Sequence, residues 1–118
     1  MATILIIDDD PQIRRVLVQV LTRVGHEPIE AEDGKEGLNQ FRAHKPDLVV
    51  TDILMPVKEG LETIRELRGE APGVAIIAMS GGDPLFLDIA EMLGADVTLR
   101  KPFTTSEFLQ AIDRLLTT

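Results

Sequence analysis

Asp8, Asp9 and Asp10 follow directly on the apolar run Thr3–Ile7, and Asp52, Ser80 and Lys101 each stand at the end of a later apolar run. Grouped carboxylates repel: two charges ~5 Å apart at an effective dielectric of ~20 cost about 3 kcal/mol per pair. Such a group persists when a cation or a shifted protonation offsets the repulsion. An all-oxygen ligand set favours Mg²⁺ or a similar hard ion. A carboxylate beside that ion can act as a nucleophile toward phosphorus. The ion and an ammonium such as that of Lys101 then neutralise charge on the transferring group, and the Ser80 hydroxyl can donate to one of its oxygens. Singly, each residue has an ordinary explanation. Asp10 suits a helix cap, Asp52 a turn, Ser80 a loop before Gly81-Gly82, and Lys101 a solvated surface. Their joint placement carries the weight.

That placement follows from the elements around them. Five apolar runs predict strands: Thr3–Asp8, Glu27–Ala31, Asp47–Asp52, Val74–Met79 and Val97–Arg100. Most are short, aliphatic and nearly continuous, as strands covered on both faces are. The second is more polar and suits an edge. Helical patterns alternate with them. Ile13, Val16, Leu17, Val20, Leu21 and Val24 form a core-facing stripe, opened by Asp10-Pro11 and closed by Gly25. Asp33 with Glu36 resembles a capping box before a helix ending near His44. Leu61, Ile64 and Leu67 mark a third helix, and Asp83-Pro84 to Gly94 frames a fourth. Thr104 to Glu107 is a capping box before a fifth, whose stripe is Phe108, Leu109, Ile112, Leu115 and Leu116. Five βα units predict a doubly wound α/β fold, a parallel sheet with helices on both faces. In such sheets ligands bind outside the carboxyl ends of the strands, which is the rim where Asp8, Asp9, Asp52, Ser80 and Lys101 fall.

Composition narrows the function classes. The length of 118 residues suits one domain spanning 1–118. With no cysteine, neither disulfides nor thiolate metal sites are available. The net charge of −8, with scattered basic residues, argues against direct nucleic-acid binding. No signal-peptide pattern and no apolar stretch near the ~20 residues of a membrane span are seen, so a soluble, cytoplasmic protein is expected. No tether to an output segment is visible after the fifth helix. His26 and His44 read as surface residues, and Arg14 and Arg15 as a solvated or docking face of the first helix.

The segments Ile4-Leu-Ile-Ile-Asp-Asp-Asp10, Asp47-Leu-Val-Val-Thr-Asp-Ile-Leu-Met-Pro56, Ala78-Met-Ser-Gly81 and Lys101-Pro-Phe103 together resemble the receiver domain of two-component response regulators, and the resemblance runs the length of the chain. It implies the flavodoxin-like receiver fold, with strand order 2-1-3-4-5. It implies Asp52 as phosphoacceptor, and Mg²⁺ (or Mn²⁺) held by Asp9, Asp52 and the Leu54 carbonyl, with Asp8 acting through a metal-bound water. Ser80 would turn toward the phosphoryl group, Lys101 would pair with it, and the bond before Pro102 would be cis. The implied phosphodonor is a histidine kinase or histidine phosphotransfer protein. The implied output is a downstream effector protein docking on helix four, strand five and helix five. Catalysis would be confined to the domain's own phosphorylation and dephosphorylation.

Three departures bear on output. Thr98 stands where the family usually has an aromatic switch partner, Val57 replaces a smaller residue, and Gly81-Gly82 makes the loop after strand four freer. Two other classes compete. A Mg²⁺-dependent phosphatase with an aspartate nucleophile would have a second acid at the position of Leu54 and a cap domain. A pure interaction module would not need the full set of acids, Ser80 and Lys101.

Overall fold

Each strand is followed by a helix. The order is β1 (Thr3–Ile7), α1 (Pro11–Arg23), β2 (Glu27–Ala31), α2 (Gly34–His44), β3 (Leu48–Asp52), α3 (Gly60–Glu70), β4 (Ala75–Ser80), α4 (Pro84–Leu93), β5 (Val97–Arg100) and α5 (Thr105–Leu116). The computed structural model describes residues 1–54 and 60–117. The strands form one parallel sheet in the order β2-β1-β3-β4-β5, as the resemblance implies. The more polar β2 is an edge strand, and β5 is the other.

Alternation along the strands divides the core in two. Leu5, Ile7, Val49, Ile76 and Ala78 face α2, α3 and α4. Ile4, Ile6, Leu48, Val50, Ile77 and Met79 face α1 and α5. The central strands β1, β3 and β4 are thus buried on both sides, which is why their sequences read as continuous aliphatic runs. Each fully buried Leu or Ile contributes ~1.5–3 kcal/mol of apolar transfer.

The helix signals are realised with local differences. The Asp10 carboxylate accepts from the Gln12 and Ile13 N–H groups, and Pro11 occupies the first turn. Thr104 and Glu107 form the full reciprocal capping box. At α2 only half of a box is present. Asp33 accepts from the Glu36 N–H at 2.8 Å, while the Glu36 carboxylate accepts from Gln40 Nε2, one turn on. The α1 stripe is narrower than its sequence predicts. Leu17 and Leu21 are buried, but Val16 and Val24 are 54% and 50% exposed. Val16 lies at the edge of the apolar arc, and Val24 is the cap residue where the chain leaves the helix. His26 is partly buried, with Nδ1 accepting the Ala2 N–H at 3.1 Å. Among the described residues no helix is long and apolar enough to cross a membrane.

Candidate functional site at the carboxyl rim of the sheet

Ladder hydrogen bonds continue one residue past the strand ends and fix the residues on the rim. The Asp8 N–H donates to the Ala31 carbonyl at 3.1 Å, the Ile53 N–H to Met79 at 2.9 Å, and the Lys101 N–H to Ser80 at 3.0 Å. Asp8, Asp52 and Lys101 are therefore held by main-chain geometry, although they are far apart in sequence.

The rim brings the acids together. Asp8, Asp9 and Asp52 each place a carboxylate oxygen within 4.8 Å of the others. Their environments differ sharply: Asp8 is 0% and Asp52 6% exposed, whereas Asp9 is open to solvent. Lys101 Nζ lies 3.0 Å from Asp8 Oδ2 and 3.4 Å from Asp52 Oδ1. The other Asp8 oxygen accepts the Asp10 N–H at 2.9 Å, so both oxygens of the buried carboxylate are satisfied.

Burial pushes the Asp52 carboxyl up to about 6; Lys101 opposes this, and Asp8, then Asp9, add to it. Loss of solvent, more than the repulsion weighed from sequence, thus dominates. Burial pulls the Lys101 ammonium down, but Asp52 and Asp8 together outweigh it and hold the ammonium above its ordinary value. Lys101 is the internal counter-charge of the acid cluster.

Ser80, at the end of β4, is buried, and its Oγ accepts the Gly82 N–H at 3.1 Å. Leu54, 42% exposed, stands at the mouth of the rim. A Cβ on Gly82 would lie 2.7 Å from Leu54 Cδ1. Neither Gly81 nor Gly82 takes a positive φ. Gly82 serves close packing against Leu54, instead of the loop freedom suggested by its type. Thr98 is partly buried on β5 and pairs with Ala78. By alternation it faces the α4 side, opposite Leu99. The Lys101-Pro102 bond is cis. Val57 lies outside the described residues.

Gly60, the first residue of α3, packs against the end of β3, donating its N–H to the Ile53 carbonyl at 2.8 Å. A Cβ there would run into the Asp52 carbonyl and stand 2.6 Å from Ile53 Cα. Both are backbone and have little room to yield. Gly60→Ala is expected to cost ~1–3 kcal/mol by overpacking, read from urea unfolding. An unchanged midpoint would show that the backbone of Asp52 and Ile53 yields to the methyl group.

The sequence reads Arg14 as part of a solvated or docking face and misses its contact with the site. Arg14 faces the site, with Nη1 donating to the Asp8 carbonyl at 2.6 Å and Nε to Glu30 at 2.9 Å. The available signal is positional. Cα–Cβ bonds tilt toward the helix N-terminus, so a long side chain near the start of α1 reaches back to the preceding loop.

An all-oxygen acid cluster beside an ammonium can hold a metal ion and offers a nucleophilic carboxylate. Comparison with known proteins agrees with the architecture. The profile of the family "Response regulator receiver domain" matches residues 4–113. The chain is 38% identical over 113 residues to "Probable transcriptional regulator ycf27" of Cyanophora paradoxa, covering 96% of this chain and 47% of that protein. It thus spans about half the length of the curated relatives it matches. A receiver-domain structure from Clostridium thermocellum superposes with a TM-score of 0.94 at 33% identity, covering 99% of this chain and 95% of that one. The response regulator TrrA of Thermotoga maritima, solved in complex with Mg²⁺-BeF, gives 0.90 at 34% identity over 98% of this chain and 100% of the other. The chain belongs to the receiver-domain family of two-component response regulators.

Proposed function

We propose that residues 1–118 form a receiver unit that accepts a phosphoryl group on Asp52 from a phosphohistidine of a sensor kinase or phosphotransfer protein, with Mg²⁺ (or Mn²⁺), and thereby switches a protein-interaction surface. The observation that carries this is the convergence of Asp8, Asp9 and Asp52 within 4.8 Å, with Lys101 against two of them. A relative solved in complex with Mg²⁺-BeF, at 34% identity, supports a cation-dependent reading of this chain.

In the reaction an Asp52 carboxylate oxygen attacks phosphorus. The O–P bond forms as the P–N bond to the donor imidazole breaks, and the imidazole leaves with the bonding pair. With its carboxyl at about 6, Asp52 is mostly ionised at neutral pH and ready to act. Asp8, Asp9, Asp52 and the Leu54 carbonyl would hold the cation, Asp8 through a water. The bound cation supplies positive charge against the oxygens of the transferring group. Lys101 supplies the same from the protein.

Moving a population from 1:99 to 99:1 needs ~5.5 kcal/mol of differential stabilisation, and a hydrogen bond to a charged group contributes about 1.5–3 kcal/mol. Ser80 and Lys101 together approach that figure; neither reaches it alone. Thr98 offers no ring to relay the change, so output runs through α4, β5 and α5 toward an effector protein without an aromatic rotamer at this position. The net charge of −8 fits a protein partner, in a cytoplasmic setting, better than nucleic acid.

Incubation with acetyl phosphate and Mg²⁺ is expected to add one phosphoryl group by intact mass, lost with chelator and in Asp52→Asn. No adduct, or one that persists in Asp52→Asn, refutes the proposal.

A further inference from the structure

The geometry points to Arg14 as a positioning residue for the acid pair at the end of β1, acting through the Asp8 carbonyl; the inference rests on the cation-assisted role of Asp52 proposed above. Asp9 is exposed, and no hydrogen bond from a described residue reaches its carboxylate. Its aim toward Asp8 and Asp52 is therefore set by its backbone. On one side of Asp8 that backbone is fixed by the ladder bond from the Asp8 N–H to Ala31 at 3.1 Å. On the other side, the Asp8–Asp9 peptide is held on its carbonyl by Arg14 Nη1 at 2.6 Å. The guanidinium is itself anchored by Glu30 near the end of β2, at 2.9 Å, and its side chain is 17% exposed. The peptide on the far side of Asp9 is held separately, by the Asp10 N–H on Asp8 Oδ1 at 2.9 Å. Arg14 thus braces α1, the β1–α1 loop and β2 around the Asp8–Asp9 peptide, the near one of the two that aim Asp9.

A positional role and a charge role predict opposite signs. As a bare positive charge near the rim, Arg14 opposes a divalent cation, and removing it tightens binding. As a brace, it holds the ligand in place, and removing it weakens binding. Groups that orient metal ligands typically contribute 10–100-fold in affinity.

The test is a calorimetric Mg²⁺ titration of the full chain, with melting in chelator and acetyl phosphate labelling alongside. Arg14→Gln is expected to bind Mg²⁺ about 10-fold more weakly. Arg14→Met, which keeps an apolar stem, serves if the glutamine variant does not fold. Arg14→Lys keeps the charge but loses the planar fork that bonds Asp8 and Glu30 together, and is expected to fall between the wild type and Arg14→Gln. Arg15→Gln, which removes a neighbouring exposed charge, is expected to leave affinity no weaker. Affinity equal to or tighter than the wild type in the Gln or Met variant overturns the inference, as does an equal weakening in Arg15→Gln. A wild type that binds no Mg²⁺ overturns the functional proposal and this inference with it. A wild type that binds Mg²⁺ and takes the phosphoryl group, with unchanged Arg14 variants, overturns this inference alone.

Discussion

Lys101→Met is expected to lower the stability of the cation-free protein by about 3 kcal/mol, the low end for breaking a buried ion pair by removing one partner. The low end applies because the lysine side chain is 19% exposed, while the full burial of its partner Asp8, 0% exposed, keeps the cost within the buried-pair range. Without the ammonium, Asp8 keeps only the Asp10 N–H on one oxygen, and Asp52 loses a charge partner at 3.4 Å. Two features separate this from loss of packing. In an Asp8→Asn background the cost of Lys101→Met should fall well below its value alone, because the stranded charge is gone. Saturating Mg²⁺ should also stabilise the variant, by ~2.7 kcal/mol at a hundredfold excess over Kd. Urea unfolding with chelator, then with Mg²⁺, reads both. A variant as stable as the wild type in chelator, or indifferent to Mg²⁺, would contradict the assignment of Lys101 as counter-charge.

Asp52→Asn carries the second large effect, of opposite sign. The Asp52 carboxyl is raised by burial to about 6, against roughly 4 in an unfolded chain. Below about pH 4 it is protonated in both states and costs nothing. Between about 4 and 6 the native state binds more protons than the unfolded state, so stability falls as pH rises. Above about 6 the full cost of holding a buried charge is present, on the order of 3 kcal/mol. Asparagine has no such charge. The variant should be more stable than the wild type at pH 7 in chelator by about that amount, roughly 12 °C in Tm for a chain of this size. The difference should vanish near pH 4. Asp9→Asn should raise the cation-free Tm less, because Asp9 is exposed and is the smallest contributor to the Asp52 shift. It should still weaken Mg²⁺ binding. Thermal melts across pH in chelator check both variants. A destabilised Asp52→Asn would mean that the ionised carboxylate is held comfortably by Lys101.

Both predictions rest on facts that the residues alone did not contain. The sequence placed Asp8, Asp9, Asp52, Ser80 and Lys101 at strand ends, because continuous aliphatic runs with capped helices between them leave little choice of element. It also located the helix starts at Asp10-Pro11, Asp83-Pro84 and Thr104, where cap chemistry is local and involves residues within one turn. It misjudged the outer edge of α1, because periodicity defines an arc and cannot say how much of that arc a neighbour covers. Val16 is the example. It also took Arg14 for part of a solvated or docking face, because a charged side chain near a helix start looks the same whether it faces water, a partner or a carbonyl in the loop behind it.

What the sequence determined by itself is the inventory and its order: five strand–helix units, a rim of oxygen ligands, one ammonium, and threonine at position 98. Local rules of period, capping and strand composition suffice for that. Tertiary structure decided how the inventory is wired. Lys101 meets Asp8 across 93 positions of chain because the parallel sheet brings the carboxyl ends of all its strands to one rim, where the lysine side chain reaches in from the end of β5. Asp8 is sealed while Asp9 stays open, and Asp52 is buried deeply enough to shift its titration. Burial and through-space charge depend on which elements surround a group, and no neighbour in sequence reports that.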